Sequence, residues 1–402
     1  MFKKKLRPNT VKQFNRFLMS FSNISRGLFV SIIGLVINFI LINYKSREVF
    51  EAYVYCNTVT SFLFVLCNWG GKDQSIQAFS QNTNKFRETF NLILASRILL
   101  ILPGILPVFF LPALLSFKFF IGIYLVLKVL GAFIEAVITV QKKFHAFLFV
   151  DLSLNTLLVI TLLFDKNISR PEIFLAELIG MELLRTLINF SFFGKFVLFK
   201  PNLKKTFAFL KESRYFFYIS LAGFLCSRAD LYVVGLLLNN NELSRYFIII
   251  NLVILGQIVF NTFISTFRPN ILRYNEATFK RFSLWSLRLG IFYSLFCTLA
   301  IFLMSAIYYN ITLNYLFSIF IIINLLFFTL ICTSILNYTR TNNQKLMGKI
   351  ILFSGLFNVL MSFVCVPFLG IEGAFISNTA TLIFIYILFT KYSDHRPTEV
   401  AI

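Results

Sequence analysis

Apolar runs long enough to cross a bilayer recur along the whole chain, separated by short polar loops. The runs fall at 21–43, 52–68, 91–115, 119–140, 146–164, 173–194, 216–238, 246–267, 283–307, 315–337, 350–369 and 374–391. A helix rises 1.5 Å per residue, so the 23 residues of 21–43 reach about 34 Å, enough for the hydrocarbon core. With 58% hydrophobic residues and 53 Phe in 402 residues, no soluble fold could hide this much apolar surface. The expected fold is therefore an all-α membrane protein with about twelve transmembrane helices. The basic segment before the first run (Lys3, Lys4, Lys5, Arg7, Lys12, Arg16) is followed by an apolar stretch too long for a signal peptide, and predicts an uncleaved first span. Pro103, Pro107 and Pro112 predict a kinked or unwound third span.

Charge placement sets the orientation. The formal charge of +21 would suit a nucleic-acid binder, but the bases sit in short loops between apolar runs and accompany no nucleic-acid module. Alternate loops, beginning with the N-terminal segment, hold 26 Lys and Arg, and the intervening loops hold six. The positive-inside rule then puts both termini in the cytoplasm. The most basic internal loop, 195–215, divides the chain into two six-helix bundles, 1–200 and 201–402. Each half repeats a short outer loop with an acid and then a tyrosine (Glu48 and Tyr53; Glu242 and Tyr246). Paired six-helix repeats are a transporter architecture.

Catalytic constellations are missing from the sequence. It has two histidines, no GxSxG, no HExxH, no Walker A loop and no metal-ligand or cofactor motif. Its six cysteines all lie inside apolar runs with no CxxC. The longest outer loop, about 165–172, is too short for an active-site domain. The expectation is a protein that is not an enzyme and uses no cofactor.

The informative residues are charges inside the spans. An ionised group costs roughly 2.5–3.5 kcal/mol at mid-bilayer on insertion scales, so it faces a partner or a watery cavity. Arg26, Arg97 and Arg288 lie near cytoplasmic ends and could also snorkel to headgroups. Lys128, Gly131 and Glu135 share one helical face. Glu182 and Arg185, three apart, can neutralise each other. Arg228 and Asp230 are two apart and point to different faces, so they cannot satisfy one another. Under a six-plus-six repeat, Arg26 corresponds to Arg228 and Arg97 to Arg288. We therefore expect Arg26, Arg97, Lys128, Arg228 and Arg288 to line a cationic cavity suited to phosphate oxygens. Asp230, Glu135 and Asp151 are candidates for coupling to an ion, or for pairing with those bases.

Asn68-Trp69-Gly70-Gly71, Arg228-Ala229-Asp230 with Val234-Gly235, Tyr246, Arg268-Pro269 and Val366-Pro367-Phe368-Leu369-Gly370-Ile371-Glu372-Gly373-Ala374 follow in the order found in one family. In these features the chain resembles the Wzx-type polysaccharide (O-antigen) flippases of the MATE-like exporter superfamily. It departs from them in lacking the proline common near the start of the seventh helix, where Tyr218-Ile219-Ser220 stands, and in being short. The resemblance implies two bundles around a V-shaped cavity. It also implies alternating-access carriage of an undecaprenyl-diphosphate-linked oligosaccharide across the inner membrane. A proton or sodium gradient, or product removal, would drive it, with membrane lipid around it and polymerase and chain-length machinery as partners. A MATE-type multidrug exporter, a flippase for the peptidoglycan lipid precursor and a polymerase-type membrane enzyme are the competing readings. The arginine excess, the usual fourteen helices and the missing long outer loop stand against them in turn.

Overall fold

A computed structural model describes residues 8–81, 85–111, 114–141, 143–164, 170–193, 202–265, 271, 274–341 and 343–393. The helices are α1 (Pro8–Tyr44), α2 (Arg47–Cys67), α3 (Gly71–Gln81), α4 (Phe86–Phe109), α5 (Leu115–Gln141), α6 (Phe144–Phe164), α7 (Pro171–Phe193), α8 (Leu203–Glu212), α9 (Arg214–Leu237), α10 (Asn240–Ser265), α11 (Glu276–Tyr309), α12 (Tyr315–Arg340) and α13 (Gln344–Ser393). Polar side chains mark where several begin. Ser46 accepts from Val49 N, Asn202 from Lys205 N, Asn275 from Thr278 N and Asn314 from Phe317 N, each satisfying one of the orphan donors of a first turn.

Ten helices among the described residues are long and apolar enough to cross a membrane. The chain is a multi-pass helical membrane protein. α7 is of spanning length but carries Glu172, Glu177, Glu182 and Arg185, which keep it out of that set. α13, by contrast, contains a reversal. Gly370 adopts φ 61°, ψ −137°, a conformation open essentially to glycine alone. The Ser362 and Ser377 hydroxyls, on either side of it in the chain, are 2.7 Å apart, whereas fifteen residues of straight helix would separate them by about 22 Å. Residues 344–369 and 371–393 therefore run back along each other. Glu372, just past the reversal, accepts from Asn314 Nδ2 at 2.7 Å and ties the tip to the start of α12.

The expected unwinding is not found at Pro103 or Pro107. α4 is helical through Pro103 and Pro107 as far as Phe109, with Cys67 of α2 packed against Gly104. Pro112 lies outside the described residues, as do both termini and Arg268-Pro269.

The chain divides into two compact units, Met1–Val49 with Val59–Phe216, and Phe50–Thr58 with Phe217–Ile402. In the first, α1 packs on α6, α5 on α3, α4 and α7, α6 on α7 and α4 on α8. Phe79, Phe90, Ile93, Phe133, Ile134, Val137 and Phe147 form its core. In the second, α12 packs on α10, α11 and α13. The second unit is also sewn together by amides and hydroxyls. Gln257 donates to Asn324, Asn324 to Asn378, and Asn358 to the Leu225 carbonyl, each at 2.9 Å.

Burial runs opposite to that of a soluble protein. Ser354, Asn358, Ser362, Ser377 and Thr381 are fully buried, while Phe292, Phe296, Phe353, Leu360 and Phe368 are exposed. Hydrocarbon drives no apolar face inward, so small and hydrogen-bonding residues take the helix contacts and aromatics face lipid.

Candidate functional site

A cavity of about 360 Å³ opens among α1, α2, α5, α6 and α7 of the first unit. Arg26, Lys128, Glu135, Asp151, Glu182 and Arg185 supply its charged lining, and Ser61, Asn189, Gly131, Phe64 and Phe147 stand beside them. Helical spacing explains the α5 wall: Lys128, Gly131 and Glu135 recur every three or four residues and share the face predicted from the sequence. Glu182 of α7 lies against Gly131, where a side-chain carbon would touch its Oε1 at 3.5 Å.

Five of these charges form one alternating chain. Arg26 Nη1 lies 3.0 Å from Glu135 Oε1, and its Nε lies 2.5 Å from Asp151 Oδ2. Asp151 Oδ1 is 3.2 Å from Arg185 Nε, close enough for an ion pair but not aligned as a hydrogen bond. Arg185 Nη1 then reaches Glu182 Oε2 at 2.7 Å, and its Nη2 donates to Asn155 Oδ1 at 2.8 Å. Phe147 stacks under the Arg26 guanidinium, 3.7 Å from ring centre to Cζ. The Lys128 ammonium lies 4.4 Å from the centre of the Tyr124 ring. Glu182 and Arg185 neutralise each other as the spacing predicts, but Arg185 also reaches across to α6. With three basic and three acidic side chains, the cavity wall is formally neutral.

Arg97 is elsewhere. It is 0% exposed, and its Nη atoms donate to the carbonyls of Trp69 and Gly71 at 3.4 Å, to Gln74 Oε1 at 3.0 Å and to Ser75 Oγ at 3.4 Å. Those acceptors belong to the Asn68-Trp69-Gly70-Gly71 turn and the first turn of α3. Trp69, Gly70 and Gly71 all take positive φ (36°, 82° and 65°), which turns their carbonyls inward where one guanidinium gathers two of them. The Trp69 indole donates outward to the Leu210 carbonyl of α8 at 3.0 Å. Arg97 neither snorkels nor lines the cavity in this structure; it clamps a turn.

In the second unit, Arg228 donates to Asn251 Oδ1 at 3.0 Å, and Asp230, fully buried, accepts from the Tyr246 hydroxyl. The two charges look to different partners, both on α10. Arg288 is exposed on α11, on the strip that carries Leu284, Trp285, Phe292 and Phe296. The repeat therefore does not give Arg97 and Arg288 equivalent surroundings. The structure brings Arg26, Lys128, Glu135 and Asp151 together in one cavity, and Arg97, Arg228, Asp230 and Arg288 are not in its wall. Sequence reasoning paired Glu182 with Arg185 but missed both as members of the cavity wall; two opposite charges on one helical face inside a span were the available signal.

The fold and this cavity define a polytopic helical membrane protein with a charge-lined chamber inside its first unit. No family model and no curated protein matches the sequence. Among solved structures the chain is similar to "Lipid II flippase MurJ, inward closed conformation", with a TM-score of 0.70 over 93% of this chain and 87% of that one, at 16% identity. A likeness at that identity establishes the fold.

Proposed function

We propose that the protein is a flippase for a lipid-linked oligosaccharide, carrying an undecaprenyl-diphosphate-linked repeat unit of O-antigen, capsule or exopolysaccharide type across the inner membrane. The observation that carries this reading is the shared fold, over 93% of the chain, with a protein named a lipid II flippase. The family-like motifs and the bases inside the spans support it.

In this reading twelve helices cross the bilayer. They comprise ten membrane-capable helices, the hairpin at Gly370 counted as two spans, and α7 with Glu182 and Arg185 turned to the cavity. Both termini are cytoplasmic, and residues 1–200 and 201–402 rock as halves in alternating access. Arg26 and Lys128 bind the diphosphate in the cavity of the first unit, Arg228 is a separate candidate contact for the substrate, and Arg97 positions the turn after α2. Asp230, Glu135 and Asp151 are the candidates for proton or sodium coupling, and polymerase and chain-length machinery receive the product. No bond of the substrate is made or broken, so the protein is a transporter.

Three carboxylates on the cavity wall are what a MATE-type exporter of organic cations would use. Here Glu135, Asp151 and Glu182 all lie in ion pairs with Arg26 or Arg185, so the wall offers a cation no net attraction.

Proteoliposomes loaded with a fluorescent undecaprenyl-diphosphate oligosaccharide test the proposal. The protein should move the label between leaflets well above the rate of empty liposomes, read by quenching with a membrane-impermeant reductant. Movement at the background rate, or extrusion of ethidium in its place, defeats it. Cysteine labelling of 143–145 and 204–214 should find both on the same side of the membrane, opposite 240–245.

A further inference from the structure

Asp151 sits at the centre of the alternating chain, 2% exposed, with one carboxylate oxygen toward each of two guanidinium groups. A carboxylate between two arginines occupies the position in which such groups hold a phosphate: separate oxygens, each against a forked cation. The outer arms of the same arginines are held by Glu135 and Glu182. Two guanidinium groups against three carboxylates give the chain a net charge of −1, and Lys128 brings the wall to neutrality. An anion entering this cavity meets no net attraction while the carboxylates keep their arginines.

We propose that Asp151 is an internal stand-in for an anionic diphosphate, and that the ligand binds by taking Arg26 and Arg185 from it. The inference deepens the flippase reading and rests on it for the identity of the lipid carrier; the chemistry itself needs only a diphosphate. About 360 Å³ lies at the low end of the roughly 300–1,000 Å³ of small-ligand pockets, room for a diphosphate but not for an oligosaccharide. The glycan therefore lies outside this chamber. Holding the arginines paired between binding events keeps isolated cations out of a low-dielectric wall. It also sets selectivity. A single carboxylate offers one charge for the ion pairs it must break, whereas a diphosphate offers several oxygens and more than one charge.

The test is calorimetric binding of methylene diphosphonate and of farnesyl diphosphate to the purified full chain in detergent, at fixed salt. Asp151→Asn should bind about tenfold tighter than the parent, and Arg26→Gln and Arg185→Gln at least about tenfold weaker. Damage to the fold weakens binding in every variant, so the opposite signs isolate the exchange. Glu135→Gln and Glu182→Gln, at the more exposed ends of the chain, give about threefold tightening and serve if Asp151→Asn does not fold. Unchanged or weaker binding in the carboxylate variants, or parent-like binding in Arg185→Gln, overturns the proposal. Tighter binding of farnesyl diphosphate than of the diphosphonate assigns the site to a lipid headgroup; equal binding assigns it to diphosphate in general. This binding pattern without flipping in proteoliposomes would retain the exchange and sink the transport reading, and flipping without the pattern would do the reverse.

Discussion

The hydroxyl of Tyr246 on α10 donates to the carboxylate of Asp230 on α9, with both side chains fully buried. Tyr246 comes soon after the short polar turn between α9 and α10, so a residue conspicuous in the sequence for its position turns out to be the partner of a buried acid. An acid inside a span stands only where its surroundings solvate it.

Replacing Tyr246 with Phe removes that hydrogen bond and keeps the ring, so the loss falls on the carboxylate. The expected destabilisation is about 1–3 kcal/mol, the range for orphaning a buried polar group. Thermal unfolding of the purified protein in detergent measures it. Adding Asp230→Asn to Tyr246→Phe should recover part of the loss, because an amide is cheaper to bury than an acid without its donor. Equal melting of parent and Tyr246→Phe would show that the pair contributes nothing.

Arg97 predicts a different kind of loss. Its guanidinium fork serves two carbonyls and two side chains at once, a geometry that the single ammonium of lysine cannot reproduce. Arg97→Gln should destabilise by about 3 kcal/mol or more, since the Trp69 and Gly71 carbonyls lose their charged donor together. Arg97→Lys should recover only part. Protease susceptibility near 69–75 should rise in both. A variant that melts like the parent but no longer transports would instead put Arg97 in the substrate path.

That the chain is a multi-pass helical membrane protein was legible because the signal is local: a run of some twenty apolar residues is long enough to span whatever its neighbours do. Even the hairpin was visible, since the sequence separates 350–369 from 374–391, the two arms that reverse at Gly370. The chamber was legible only in part. Lys128 and Glu135 share a face through helical periodicity, but Arg26 meets Asp151 across 125 residues, and no pattern along one helix encodes that pairing. The repeat misled for Arg97 and Arg288. Corresponding helices need not turn corresponding residues to the same surroundings, and what distinguishes Arg97 is the inward-facing carbonyls of a turn 26 to 28 residues away.

Gly370 isolates a backbone effect. A Cβ there meets nothing within 4 Å, so Gly370→Ala introduces no clash, only an alanine at φ 61°, ψ −137°. Strain of that kind costs about 1–3 kcal/mol, and the melting temperature should fall accordingly. The hairpin itself can be trapped. Cysteines replacing Ser362 and Ser377, whose hydroxyls touch, should crosslink with a short thiol reagent in native membranes. Failure to crosslink while both thiols are reactive would mean that the chain does not fold back at Gly370.

Arg228 and Arg288, alike in sequence as bases within spans, should part company on mutation. Arg228 is half-buried and bonded to Asn251, whereas Arg288 is exposed among Leu284, Trp285 and Phe292, where its long stem can carry the charge toward headgroups. Arg288→Gln should leave stability within about 0.5 kcal/mol, as for a surface substitution without specific contacts. Its flipping rate should also stay near that of the parent. Arg228→Gln should lower stability by about 1–2 kcal/mol through the Asn251 bond and, on the flippase reading, slow flipping by about tenfold, the loss of one charge-assisted contact. Measuring melting and flipping on the same preparations keeps the effects apart. A folded Arg288→Gln that no longer flips lipid would mean that the α11 strip faces the substrate, and that the outward arginine was part of the route.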